Sequence, residues 1–503
     1  MLKGFRAGLF AAVCSAGLMA AAGAAAETLA DAIALAYQTN PTLQEQRAAQ
    51  RAIDETYVQA RTGLRPTLSA SASAARQEVE FGQARTDLVD TDNNPLTPPV
   101  LVTTDSSEGS SSDASLSVTQ PLYTGGRVTS QISASRADVM AGREGLRAVE
   151  AGVLAGVIQA YVDVRRDQER LRISQENVAV LQRQLDEAGA RFEVGEITRT
   201  DVAQAEARRA AAKAGLSSAQ AQLAISRAAY AAIVGQNPGE LAPEPSLANL
   251  LPATVDEAFD KAEANNPTLL AAAYNEQASR ARNAAARAER RPTVGLRGSL
   301  GYSGQGSGDD SPFQDYDRAL SASVVASVPI FTGGLTNSRV RQSAERNNAD
   351  RIAIEGARRD ALQDVAQAWN QLLGARANLV ANEEQVRAAR IAFEGVREEQ
   401  QVGLRTTLDV LNAEQELRNA ELSLVNTRRD EYVASALVLS AAGMLEARYL
   451  IPDVDVYDPA ANFDRVKRSW GWVPWEHAVE VIDRVGAPII GPAPEDSPIA
   501  TSK

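Results

Sequence analysis

Two hydrophobic periods run along this chain, and each of them occurs twice. From residue 127 to 195, and again from 335 to 403, there is no proline and the apolar positions keep a helical spacing. Leu171, Val178, Leu185 and Phe192 recur every seven residues with Leu181 and Ala188 offset by three; Leu379, Val386 and Phe393 repeat the pattern beside Ala389 and Val396. This spacing predicts a coiled-coil seam, and its many alanines predict close helix approach. Such a helix is about 100 Å long at 1.5 Å per residue, more than a compact core can cover.

Ahead of each long helix the period changes to two. Val294, Leu296, Gly298, Leu300 and Tyr302 lie opposite Thr293, Gly295, Arg297, Ser299 and Gly301, and Leu320, Ala322, Val324, Ala326 and Val328 lie opposite Ser321, Ser323 and Ser327. Earlier, Leu68, Ala70, Ala72 and Ala74 alternate with Thr67, Ser69, Ser71 and Ser73, and Leu116 and Val118 with Ser115, Ser117 and Thr119. Each run matches the length of a transmembrane β-strand, apolar outward and small or polar inward. Four strands are too few for the smallest membrane barrels, which need about eight, so closure requires several identical chains. The polar stretches 77–113 and 304–317 are the expected exterior loops. A soluble hairpin packed on the helices is the competing reading, but the helices leave in the opposite direction and only lipid remains to cover the apolar face.

The duplication can be read residue by residue. Asn40-Pro41-Thr42-Leu43 recurs as Asn266-Pro267-Thr268-Leu269, a displacement of 226, whereas Pro121-Leu122-Tyr123-Thr124-Gly125-Gly126 recurs as Pro329-Ile330-Phe331-Thr332-Gly333-Gly334, a displacement of 208. The difference, 226 − 208 = 18, places extra residues between Thr67 and Pro121 of the first copy. One structural unit is therefore built twice. The predicted organisation is a first repeat over 27–235 (hairpin about 67–122, long helix 127–195, helix 198–235), a linker over 236–253, and a second repeat over 254–450 (hairpin about 293–330, long helix 335–403, helix 406–443). A C-terminal tail over 451–503 follows, partly disordered. In each copy the long helix should lie beside two shorter ones stacked end to end, with 28–40 and 255–266 as small helices at the side. Gly125-Gly126 and Gly333-Gly334 suit strand-to-helix turns, and Gly195 and Gly403 suit the turns after the long helices. The fold class expected is an α+β membrane protein, a long α-helical coiled coil joined to a transmembrane β-barrel that oligomerisation completes.

Composition narrows the function. Lys3 and Arg6, an apolar stretch over 7–22 and Ala24-Ala25-Ala26 read as a cleaved signal peptide over 1–26. Cys14, the chain's one cysteine, falls inside it and reads as a signal-peptide residue, so the exported chain has no disulfide or thiolate metal site. Without Lys3 and Arg6 the net charge goes from −13 (51 − 64) to −15 (49 − 64), and so acidic a chain has no reason to bind nucleic acid. No later stretch is expected to reach the apolar length of a membrane-spanning helix. The one histidine, His477, sits in the tail beside Trp470, Trp472 and Trp475, so histidine-based triads and multi-histidine zinc sites are out of reach, and no nucleotide-binding Gly-x-x-x-x-Gly-Lys loop is present. The reading is not an enzyme and needs no cofactor. Thr198 with Asp201, and Thr406 with Asp409, have the spacing of a helix capping box.

Taken together, the doubled Asn-Pro-Thr-Leu helix starts, the strand pairs ending in Thr-Gly-Gly, and the turns at Val194-Gly195 through Asp201 and at Val402-Gly403 through Asp409 resemble the TolC family of outer-membrane channel-tunnels, over most of 27–450. The resemblance implies a homotrimer with a twelve-stranded barrel in the outer membrane and a helical tunnel across the periplasm. It also implies an entrance at the helix-turn-helix tips, opened by docking to a periplasmic adaptor (membrane fusion protein) and an inner-membrane ABC or RND transporter. Asp201, Arg405 and Asp409 match positions of the network that holds that entrance shut, with Arg405 bonding across tips. Gln400 stands where a gating tyrosine is expected and Asn412 where a second ring aspartate is expected, which implies a less cation-selective constriction. The cargo, exported protein or small molecules, is left open. The alternative class is a structural coiled-coil protein without a pore, a periplasmic adaptor or surface adhesin; an adaptor would show β-rich segments between its helical arms.

Overall fold

In the computed structural model, residues 26–89, 100–307, 311–313, 315–451, 456–468 and 471–487 are described. The signal-peptide reading falls almost wholly outside them, as do the disorder expected of the last residues and Trp470.

The helices begin where the sequence supplies caps. Helix α1 (Leu29–Thr39) opens on a capping box between Thr28 and Asp31. Helix α2 (Pro41–Thr62) opens on Asn40, whose Oδ1 accepts from the amides of Thr42 and Leu43 at 3.0 and 3.3 Å, with proline at the first helical position, where no amide is missed. The hairpin of β1 (Thr67–Val89) and β2 (Val100–Tyr123) leads into α3 (Arg127–Glu193), which is followed by α4 (Arg199–Val234). The order then recurs as α5 (Val255–Asn265), α6 (Pro267–Ala288), β3 (Thr293–Ser307), β4 (Tyr316–Ser327), α7 (Leu335–Gln401) and α8 (Thr407–Ala441). Both α3 and α7 have 67 residues.

The short helices stack through the same asparagines. Asn40 Nδ2 donates to the Ile233 carbonyl at the end of α4 at 2.9 Å, and Asn266 Nδ2 donates to the Ala441 carbonyl at the end of α8 at 3.2 Å. One side chain thus caps the helix that starts and takes up an orphan carbonyl of the helix that ends. The main core lies at this level, where Leu154, Ile158 and Tyr161 of α3 meet Ile33 of α1, Tyr230 of α4 and Leu439 of α8. Here the sequence expectation needs a correction: one stretch of α3 reaches a mean hydropathy of 1.2. Its apolar residues are those of this core.

The four strands form one antiparallel sheet in the order β1-β2-β3-β4, with β1 and β4 as open edges. Every described residue of β4 is exposed. The first hairpin is longer than predicted: β1 and β2 have 23 and 24 residues, taking in much of the polar stretch 77–113. Alternating apolar residues mark only the part of each strand nearest the helices. Beyond β3, whose pairing with β2 starts at Gly109, β1 and β2 continue as a two-stranded ribbon of mixed charged, polar and apolar residues, and their ladder, with Glu78 opposite Glu108 and Thr86 opposite Thr103, satisfies the backbone. Serine rows line one face, with Ser69 against Ser117 at 2.6 Å and Ser71 against Ser115 at 2.8 Å.

The C-terminal tail over 451–503 packs, in its described part, on α1 and α2. The described part begins at the waist, where the Tyr457 amide donates to the Tyr37 hydroxyl, and then climbs α2. Asn462 of α10 (Pro459–Val466), which follows the short α9 (Ala447–Leu450), donates to the buried Asp54 at 2.7 Å, and the Phe463 ring packs at a tilt against Tyr57. The described part of the tail closes with α11 (Glu476–Arg484) at the foot of β2.

Candidate functional site

Each long helix ends in the same backbone device. Gly195 (φ +78°) donates to the Phe192 carbonyl at 2.9 Å and Glu196 to the Arg191 carbonyl at 2.9 Å; Gly403 (φ +81°) donates to Gln400 at 3.0 Å and Leu404 to Glu399 at 2.8 Å. These are the paired bonds of a Schellman cap, and their left-handed residue needs glycine. Two residues later the next helix starts on a threonine. Thr198 and Thr406 accept from the amides of Asp201 and Asp409, whose carboxylates reach back to the threonine amides at 2.9 and 3.0 Å. The Thr198 hydroxyl, then its amide, hold Asp201 below the ordinary carboxylate range. For Asp409 the Thr406 amide acts first, then the hydroxyl, with Arg405 adding least. Both acids are therefore charged, solvent-facing and fixed in direction.

Arg405 does not bond to either aspartate. Its Nε donates to Glu399 Oε2 at 2.8 Å across its own turn, with both side chains half exposed. An exposed pair of this kind contributes about 0–1 kcal/mol, so Glu399 is an exchangeable partner. Asn412 lies one turn along α8, and its Oδ1 accepts from Arg208 of α4 at 3.0 Å, a tie between the two helical hairpins. Gln400 borders a cleft between those hairpins together with Gln184, Glu187, Arg191, Arg397 and Thr407.

Beneath the tips is a residue that sequence reasoning missed. Glu414 of α8 is buried and accepts from Gln184 Nε2 of α3 at 2.6 Å, while its Oε1 and Gln184 Oε1 have no partner. Burial raises its pKa; the Gln184 bond and then the charges of Arg418, Arg183 and Arg397 oppose the rise. The signal was available: Val410, Leu411, Leu417 and Ala420 form the buried stripe of α8, and Glu414 is an acid at a position of that stripe.

The strand-to-helix glycines form a second region. Gly125 and Gly126 have φ of +71° and +84°, and Gly333 and Gly334 have +62° and +86°. At the first pair Arg291 Nη1 donates to the Gly125 carbonyl at 3.1 Å, and Asp483 of α11 accepts from the amides of Thr124, Gly126 and Thr129 and from both threonine hydroxyls. Among the described residues nothing of this kind covers the second pair.

Charged caps and an exchangeable arginine thus lie at the tips of helices about 100 Å long, and the sheet at the other end of those helices is open at both edges. Comparison with known proteins identifies the family. The profile of the family described as "Outer membrane efflux protein" matches residues 32–236 and 258–444. The "Outer membrane efflux protein BepC" of Brucella suis is 34% identical over 447 residues, covering 89% of this chain and 92% of that protein. The "Alkaline protease secretion protein AprF" of Pseudomonas aeruginosa is 28% identical over 356 residues, covering 70% and 72%. Among solved structures, the outer membrane protein VceC from Vibrio cholerae superposes with a TM-score of 0.66 at 23% identity, over 82% of this chain and 96% of that one, a likeness of fold.

Proposed function

The chain belongs to the outer membrane efflux protein family and is an outer-membrane exit duct for efflux or secretion, and from that premise we propose that three copies of it close one channel. The observation that carries this reading is the bare β4 to α7 edge. In the first half of the chain the same strand-helix junction is seated against the end of α6; in the second half it faces open space, with Ile330 95% and Phe331 89% exposed. If the halves are two copies of one unit, the equal lengths of α3 and α7 having that origin, the seat missing inside the chain is the end of α2 in the next copy. Three four-stranded sheets then give a twelve-stranded barrel with no edge, and the helices continue as a tunnel.

The same reasoning gives the register between copies. Val118 pairs with Gly298 and Ser117 with Ser299. Adding 208 to the first residue of each pair and subtracting 226 from the second sets Ala326 against Ala72 and Val325 against Ser73 of the next copy. Apolar-row residues meet apolar-row residues, as a barrel requires. Successive antiparallel pairs alternate in spacing, so one of the two is the closer kind suited to a disulfide. Oxidation of Ala72→Cys/Ala326→Cys or Ser73→Cys/Val325→Cys should give linked oligomers up to a trimer, and the slipped combination Ala72→Cys/Val325→Cys should not. Failure of both in-register pairs in an intact oligomer would remove the ring.

The duct is passive, opened by a periplasmic adaptor and an inner-membrane pump that supply the energy. Its gate is the tip. In the closed ring Arg405 exchanges Glu399 for an acceptor on the neighbouring tip, Asp201 and Asp409 present carboxylates to the passage, and Gln400 and Asn412 set the closed contacts from the side. Single-channel conductance of Arg405→Ser in a planar bilayer should rise above wild type; equal conductance would place the gate elsewhere.

A further inference from the structure

The polarity of α11 is inverted. Glu476 and Asp483, two acids seven residues apart, are 0% exposed, while Trp472 just ahead of the helix is 58%, Trp475 50%, Ile482 49% and Val485 66% exposed. The inward acids have explicit partners. Glu476 takes Arg61 Nε at 2.7 Å and Arg65 Nε at 3.0 Å, and Asp483 takes the amides and hydroxyls at the start of α3. The inner face of the helix is thus a pair of charged pegs with Val479 between them, and the outer face is a stripe of tryptophan and branched aliphatic side chains. A helix packed on a protein in water has the opposite arrangement.

Its place explains the inversion. Trp475 Nε1 donates to Gln120 Oε1 at 3.1 Å, and Gln120 shares its strand face with Leu116 and Val118, the exposed apolar row. The Tyr123 hydroxyl donates to the Val485 carbonyl at 3.2 Å. So α11 lies across the outward side of the sheet, at the foot of the strands, directly below the band that faces lipid. Lys467 and Arg468, both exposed, precede the tryptophans, and Arg484 closes the helix with its side chain 67% exposed.

We propose that α11 is an interfacial helix that seats its Trp472, Trp475, Ile482 and Val485 side in the periplasmic leaflet of the outer membrane, with Lys467, Arg468 and Arg484 at the lipid phosphates. The inference rests on the barrel reading, because it takes the row of Leu116 and Val118 as the lipid face. Amphipathic indole rings and flanking cations are the side chains a bilayer interface selects, and Trp475 is tied to Gln120, next along the strand face that carries Leu116 and Val118. The two buried acids fix the helix at one height, so the tail sets where the barrel stops and the tunnel begins.

The four tryptophans of the chain, at 369, 470, 472 and 475, make this measurable. A full-length variant with Trp369, Trp470 and Trp472 changed to Phe keeps Trp475 as the sole emitter, and one with the other three changed keeps Trp369, which packs among the helices. Both are reconstituted in vesicles of phosphatidylethanolamine and phosphatidylglycerol carrying bromine either near the headgroup end of the acyl chain or near the bilayer centre. Trp475 emission should be blue-shifted, strongly quenched by the shallow bromine and weakly by the deep one, with Trp369 unchanged. Quenching of Trp475 by aqueous acrylamide without a bromine effect overturns the proposal in favour of a wet surface. Protection from both quenchers overturns it in favour of a protein cover, a second copy or an adaptor. Conductance in the same vesicles separates the two failures: channels with no lipid contact at Trp475 refute this inference alone, and absence of channels refutes the barrel reading.

Discussion

Pro121–Gly126 and Pro329–Gly334 have almost the same residues, the same two left-handed glycines and a 67-residue helix following each, yet they stand in opposite surroundings. A Cβ on Gly125 would meet the Arg291 Cβ at 2.6 Å and one on Gly126 the Ala487 Cβ at 2.6 Å, while among the described residues nothing lies within 4 Å of either position at Gly333 or Gly334. Local geometry is therefore specified by the motif alone, and occupancy is not. The first junction is completed by α6 and the C-terminal tail. The second has its turn ready and its apolar residues bare, and it is this edge that the proposed ring of copies would cover.

That contrast can be broken most strongly at the tail. Removing Glu476 leaves Arg61 and Arg65 buried without a counter-charge, so Glu476→Ala should lose about 3–5 kcal/mol, read as a lower thermal midpoint of the extracted protein and early tryptic release of residues after Arg468. Asp483→Ala strips five donors at the head of α3 and should cost about 3 kcal/mol, whereas Thr332→Ala at the second junction should stay within about 0.5 kcal/mol when the subunits are kept apart. Equal losses in those two variants would mean that the junctions are held alike and the comparison fails.

The tips sharpen it by being alike where the junctions differ. Thr198→Ala and Thr406→Ala each remove a cap and should cost about 0.5–2 kcal/mol locally, seen as faster amide exchange in the first turns of α4 and α8. The smallest expected effect is a pH response at Glu414. Its pKa in the folded chain lies above the unfolded carboxyl value of 4.5, so the native state holds the extra proton; this contribution to stability is present below that value and fades as pH rises through the raised one. Asp201 and Asp409, shifted downward, act in the other direction and lose their contribution only in stronger acid. Glu414→Gln should flatten the mild-acid part of the thermal-midpoint profile and leave the strong-acid part; an unchanged profile would mean that Glu414 stays charged throughout.

What could be read from the chain alone was whatever depends on neighbours in sequence. Helix starts at Asn40, Thr198, Asn266 and Thr406, the glycines that need left-handed φ, the two periods and their duplication are local properties, because caps, turns and periodic faces are made within a few residues. The length of the first hairpin escaped, since charged and polar residues in its upper part break the sustained alternation that marks a strand. The tertiary structure decided the rest: that Glu414 is buried under the tips, that Arg208 reaches Asn412, and that the described tail carries an inverted helix anchored by Glu476 and Asp483. Each of these joins residues from different helices or from opposite ends of the chain. A carboxylate has the same formula on a solvated face and in a buried seam, and only the elements packed around it determine which of the two it occupies.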